Sequence, residues 1–202
     1  MDIKETLLEK SFNLFLNEGY REISINRIVQ ECGISKGAFY HHFKSKEDLY
    51  MEVLERFFFS YFKNSDFVYN KNINFKDKIE QFIYSFVTPY EELLVMTERE
   101  DLIPYFRFLF QAAGHHSLIK YKVNRHFYKK GYYLSLIIAE QQEENIINRH
   151  IDAKLIAHQL LSLILGITIL DGIYDAAKIK AHLISSIELY IQLIINKADT
   201  HE

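Results

Sequence analysis

Between Lys36 and Lys46 the chain reads KGAFYHHFKSK, and no carboxylate occurs from Cys32 to Lys46. Lysine, tyrosine, histidine and serine are the side chains that donate hydrogen bonds to phosphate oxygens, and lysine adds positive charge. Gly37 and Ala38 are small, so a helix starting here can bring its backbone close to base edges in a groove. The chemistry on offer is recognition, not bond-making. Other reactive side chains are scattered. His41-His42 and His115-His116 are adjacent pairs, which diverge by about 100° on a helix and do not readily share a metal. There is no His-Glu-x-x-His, cysteine cluster or phosphate loop. Cys32 is the single cysteine, so no intrachain disulfide framework forms. An enzyme, a metal site and a cofactor are therefore not expected.

The elements that must position these groups are legible. Ile25, Ile28, Val29 and Cys32 recur at helical spacing and form one apolar stripe. Ser24 precedes the stripe as an N-cap, and Gly33 ends it, because glycine takes the left-handed conformation without strain. Ile34 is a plug in the turn, and Ser35 is a second N-cap. A second short helix follows from Lys36, with Ala38, Phe39 and Phe43 inward and Lys36, Gly37, Tyr40, His41 and His42 outward. Two short helices around a glycine turn make a helix-turn-helix. On pattern alone the stretch also reads as a solvated turn between two core helices. Residues 3–18 form a supporting helix ended by Gly19, with Tyr20 folding back on the core.

The stretch from Ser24 to Lys46 resembles the DNA-binding region of the TetR family of bacterial transcriptional regulators. The matching run is Gly33-Ile34-Ser35-Lys36-Gly37-Ala38-Phe39-Tyr40-His41-His42-Phe43-Lys44-Ser45-Lys46-Glu47-Asp48-Leu49, with Phe15, Gly19-Tyr20 and Ile28 upstream. The resemblance covers about the first 50 residues. It departs at Val29 and Ser11, where the family usually has alanine. It implies an all-α fold, with a helix-turn-helix DNA-binding domain in residues 1–46 and a helical ligand-binding and dimerisation domain in 47–202. It implies that Tyr40, His42, Lys46 and Ser24 grip phosphates. Ser35, Lys36, Gly37, Ala38 and His41 belong to the same DNA-binding surface, the last four facing base edges. It also implies a ligand-responsive repressor that binds a palindromic operator as a homodimer.

Composition bounds these readings. The 202 residues are 49% hydrophobic and 25% charged, with two prolines, seven glycines and a net charge of −3. That suits a globular helical chain and counts against a sequence-independent coater of nucleic acid. Even residues 1–50 carry seven Lys/Arg against eight Asp/Glu, so positive charge is local to 36–46. The N-terminus mixes charges and does not read as a signal peptide. The run from Leu160 to Leu170 is shorter than the ~20 residues a membrane span needs. A cytoplasmic protein without a membrane partner is expected.

Beyond Glu47 the pattern predicts helices from 47 to about 63, 75–87, 102–114, 117–143, 153–173 and 177–197. Thr88-Pro89-Tyr90-Glu91 has the capping-box arrangement, predicting a kink or a fresh helix start. The last two helices carry surplus apolar surface. Leu160, Ile164, Ile167, Ile184, Ile187 and Ile191 are the expected homodimer interface, against the plainer reading of a monomer core. Of 30 Phe and Tyr, 22 fall in residues 50–133, which directs the search for an aromatic ligand pocket there. Phe62, Phe86, Tyr90, Tyr105, Phe108, Phe127 and Tyr128 are the candidates for a small apolar or aromatic effector. Plain core filling is the competing reading for each. Two other functions fit the same residues: a regulator without an inducer, acting through a partner or as an activator, and a small-molecule binder whose helix-turn-helix is structural.

Overall fold

The computed structural model describes residues 2–59 and 69–195. Every regular element among them is helical: α1 (Ile3–Glu18), α2 (Ile25–Cys32), α3 (Lys36–His42), α4 (Lys46–Leu54), α5 (Phe75–Thr97), α6 (Ile103–His115), α7 (Ser117–Glu143), α8 (Ala153–Tyr174) and α9 (Ile179–Ile194). They fall into two compact units. One is built from residues 2–59 with α6, the other from residues 69–102 and 116–195.

In the first unit α1 is a hydrophobic pillar. Leu7, Leu8, Phe12, Leu14, Phe15 and Leu16 are all buried. Phe12 stacks on Phe57 at 4.7 Å and meets Phe108 of α6 edge-on at 6.0 Å. Each such ring contributes about 1.5–3 kcal/mol by burial. Helix α6 is also tied to α1 by polarity. Arg107 donates to the carbonyls of Leu16 and Asn17 at 2.7 and 2.6 Å, placing a cation at the C-terminus of α1. Ser11 is fully buried and its hydroxyl has no hydrogen-bond partner, so the serine here carries a desolvation cost that alanine would not.

The expected helix from 47 to about 63 starts where Ser45 caps it, the Oγ accepting from the Asp48 N–H at 3.0 Å. It runs as α4 to Leu54 and widens into a π turn at Glu55–Phe59, and its last part lies outside the described residues. Phe57, Phe58 and Phe59 are all buried. Three successive residues span about 200° of a regular α-helix, more than one packed face.

In the second unit, α5 runs as one helix through Pro89, so no fresh helix starts there. Proline at 89 removes the N–H that would bond the Ser85 carbonyl one turn back. Lys130 of α7 takes that place, its Nζ donating to the Ser85 carbonyl at 3.1 Å and to the Ser85 Oγ at 2.7 Å. Lys130 is only 3% exposed and lies over the rings of Phe82 and Phe86. A second buried lysine, Lys78 of α5, pairs with Glu140 of α7 at 2.6 Å, and the Tyr69 hydroxyl donates to the same carboxylate at 3.0 Å. Burial pushes the Glu140 carboxyl up, but the bonds from Lys78 and Tyr69 outweigh it and hold the group below its ordinary value. Tyr69 is pushed up to about 12 by burial and by that carboxylate.

Helix α8 starts at Asp152, whose side chain accepts from the Lys154 N–H. It buries Ile156, Ala157, Leu160, Leu161 and Ile164. As a whole helix of 22 residues it is long and apolar enough to cross a membrane, which the count from Leu160 to Leu170 understated. Length and composition alone also describe a core helix, and α8 packs against both α7 and α9.

Candidate nucleic-acid interface

The outward face of α3 is fixed from both ends. Helix α2 starts at Ser24, whose Oγ accepts from the Arg27 N–H at 3.2 Å. It ends at Gly33, with φ of 68°. The Ile34 N–H reaches back to the Val29 carbonyl at 3.0 Å and the Gly33 N–H to the Gln30 carbonyl at 3.2 Å, a Schellman closure. A Cβ at Gly33 would meet nothing within 4 Å, so the requirement for glycine there is purely the positive φ. Helix α3 then starts at Ser35, whose Oγ accepts from the Ala38 N–H at 3.1 Å. The serines at 24 and 35 thus spend their hydroxyls on caps, and both residues remain exposed.

Phe39 and Phe43 are buried and Ala38 is half-buried, as the inward set requires. Lys36, Gly37 and His41 are exposed, His42 is half-buried, and Tyr40 is 55% exposed with its ring edge-on to Phe39 at 5.3 Å. Gly37 has open space on its outer side, where the nearest atom to an added Cβ is the Ser35 Oγ at 3.7 Å. The face therefore combines donors, a cation and a stretch of low backbone relief. The two nearest carboxylates beyond it, Glu47 and Asp48, sit in the first turn of α4, and Asp48 accepts from the Lys44 N–H at 2.9 Å.

Lys46 is placed differently from the other candidates. Its Nζ donates to the carbonyls of Tyr20 and Ile23, both at 2.8 Å, and lies 4.2 Å from the centre of the Tyr20 ring. Desolvation by burial lowers its pKa. It braces the α1–α2 turn against α4, and these bonds use two of the three N–H groups of the ammonium.

Residues 7–53 match the family described as bacterial regulatory proteins, tetR family. That match covers the helix-turn-helix and the helices that flank it. Among the relatives of this chain, an uncharacterized HTH-type transcriptional regulator of Bacillus subtilis, YerO, is 50% identical over 52 residues, 26% of this chain and 18% of that protein. An HTH-type transcriptional regulator of Staphylococcus aureus is 33% identical over 98 residues, 47% of this chain and 53% of that protein. This chain thus spans about half or less of the length of these curated relatives. A transcriptional regulator of Saccharomonospora viridis, solved in complex with choline, has the same fold. Its TM-score is 0.68 at 19% identity, covering 96% of this chain and 98% of that one.

The remaining candidate residues are divided between the two units. Tyr105 and Phe108 belong to the first unit, where Tyr105 stacks on Phe58 at 4.9 Å and Phe108 meets Tyr50 at 5.4 Å. Phe86, Tyr90, Phe127 and Tyr128 belong to the second. Phe86 and Tyr90 are buried, Phe127 is half-buried against Phe86, and Tyr128 is 76% exposed. Burial pushes the Tyr90 hydroxyl well up. Phe62 lies outside the described residues.

Of the expected interface residues, Leu160, Ile164 and Ile187 are buried in their own chain, while Ile167, Ile184 and Ile191 are half-buried. The apolar surface left open on these helices is one face further round: Leu155, Leu170 and Tyr174 on α8, Leu189 and Leu193 on α9. Two side-chain bonds lock α8 to α9 beside it, Tyr190 to Gln159 and His182 to Asp171. Helical spacing identified both helices as over-apolar but did not say which stripe faces inward.

Proposed function

We propose that this chain is a DNA-binding transcriptional regulator, working in the cytoplasm as a homodimer on a palindromic site in double-stranded DNA. A small apolar or aromatic molecule releases it. The observation that carries the reading is the carboxylate-free outer face of α3, exposed on a helix held by the Ser24, Gly33 and Ser35 caps. Lys36, Gly37, Ala38 and His41 face base edges in the major groove. Tyr40 and His42 grip phosphates, with the remaining N–H of Lys46 and the backbone around Ser24 and Ser35 assisting.

The open apolar surface of α8 and α9 is the dimer face. A two-fold dimer presents two copies of α3 to successive major grooves, about 34 Å apart or a small multiple. The functional boundary lies at 46/47, with residues 1–46 reading DNA and 47–202 holding the effector and the partner. The choline complex of the S. viridis protein supports a small-molecule effector for this fold. Such a molecule acts only through its different affinities for the two conformations of the dimer.

The test is a fluorescence-anisotropy titration against the DNA upstream of the protein's own gene, with shuffled DNA and Tyr40→Ala protein as controls. Selective binding that the variant loses is the expected result. Absence of binding at low salt would make the helix-turn-helix structural.

A further inference from the structure

A groove of about 590 Å³ lies between α7 and α8 in the second unit. That volume is within the range of small-molecule sites. Its two walls differ in chemistry. On α7, Tyr128 and Tyr132 stand four residues apart and share one face, beside Phe127. Phe127 is backed by Phe86 with ring centres 6.3 Å apart, while Tyr128 and Tyr132 are 76% and 53% exposed. On α8, Lys154 and His158 also stand four residues apart and line the opposite side.

The floor is low because Gly131 sits between the tyrosines. A Cβ there would come within 3.6 Å of the Leu161 side chain of α8. None of the eleven described lining residues is a carboxylate, so the charges that these residues can present are positive. The nearest acidic neighbour in sequence, Asp152, is engaged in capping α8 through the Lys154 N–H at 3.0 Å.

We infer that this groove binds a planar aromatic anion, its ring held against Tyr128 and Tyr132 and its carboxylate or sulfonate by Lys154 and His158. Aromatic rings supply stacking area at low cost in side-chain freedom. A lysine ammonium bonded to a carboxylate is among the stronger hydrogen bonds a protein makes. The assignment deepens the ligand-responsive reading above and rests on it for its consequence, while binding itself needs no DNA.

The chain contains no tryptophan, so the emission of 2-naphthoate can be followed without a competing indole signal. In a DNA-free titration, 2-naphthoate is expected to bind saturably at one per chain, about tenfold tighter than the neutral 2-naphthalenemethanol. Lys154→Met abolishes that preference and leaves the neutral probe unchanged. Tyr128→Ala weakens both. Melting curves that match the wild-type chain show that the variants fold. Equal affinity for the two probes, affinity unmoved in the variants, or no saturable binding would overturn the assignment. So would binding that strengthens as the protein is diluted to monomer, because a second copy would then be what fills the groove. Naphthoate binding as expected from a protein that ignores DNA supports the groove and removes only the regulator reading.

Discussion

Lys130 supplies to Ser85 the hydrogen bond that Pro89 cannot make. The two residues are on different helices, and their relation explains why α5 continues through a proline that its sequence context marks as a start. Replacing Lys130 with methionine leaves the part-buried Ser85 carbonyl without its charged donor. The expected cost is about 2 kcal/mol in urea unfolding. In a Pro89→Ala background the backbone N–H returns, and the same substitution should cost clearly less. Equal costs in the two backgrounds would separate Lys130 from Pro89.

Tyr40 is the sharpest test of the DNA face, since its ring is exposed and packs edge-on against Phe39. Tyr40→Ala should lower affinity for the cognate DNA at least tenfold, about 1.4 kcal/mol, and change unfolding stability by no more than about 0.5 kcal/mol. A stability loss matching the affinity loss would mark the tyrosine as structural.

Lys46 has two tasks that one variant can apportion. Lys46→Ala removes two bonds to the Tyr20 and Ile23 carbonyls and should cost about 1–2 kcal/mol of stability. It should also lower affinity on all DNA sequences and flatten the salt dependence by about one unit. Destabilisation with an unchanged salt slope would leave Lys46 as a brace alone.

The burial pattern separates dimer from core on α9. Leu193 is 75% exposed and Ile187 is buried. Leu193→Asp is expected to shift sedimentation toward the monomer while the helical circular dichroism stays intact. Ile187→Asp places a charge in the core and should unfold the chain. A Leu193→Asp protein that sediments as the wild-type chain does would move the interface elsewhere.

Glu140 sets an acid limit on the second unit. Its carboxyl titrates below the ordinary 4.5 because Lys78 and Tyr69 bond the charged form. The folded state therefore binds fewer protons than the unfolded state in that window, and the stabilisation is present above pH 4.5 and lost as pH falls through the lowered value. Urea unfolding of the wild-type chain and Glu140→Gln should differ most at neutral pH and converge in acid. A difference independent of pH would mean that the carboxylate's charge contributes nothing.

How far the sequence reaches can be argued from single residues. The helix-turn-helix was legible because its determinants are local. Ser24, Gly33 and Ser35 each act on backbone groups within a turn of themselves, and the structure has each in its expected capping or stop role. The carboxylate-free run from Cys32 to Lys46 needs only the sequence to be seen. The all-helical plan followed from periodicity and from having two prolines in 202 residues.

What the tertiary structure decided depends on partners far along the chain. Pro89 reads as a helix start until a lysine 41 positions later is found on its orphaned carbonyl. Leu160, Ile164 and Ile187 read as an interface because their helices are apolar on more than one face, and only packing chooses the inward one. Tyr105 and Phe86 read as one aromatic set because they are near in sequence, but α6 joins the unit that carries the helix-turn-helix and α5 the other. Local backbone chemistry is written in neighbouring residues. The choice among several apolar faces is a competition for burial, settled only when the whole chain is folded.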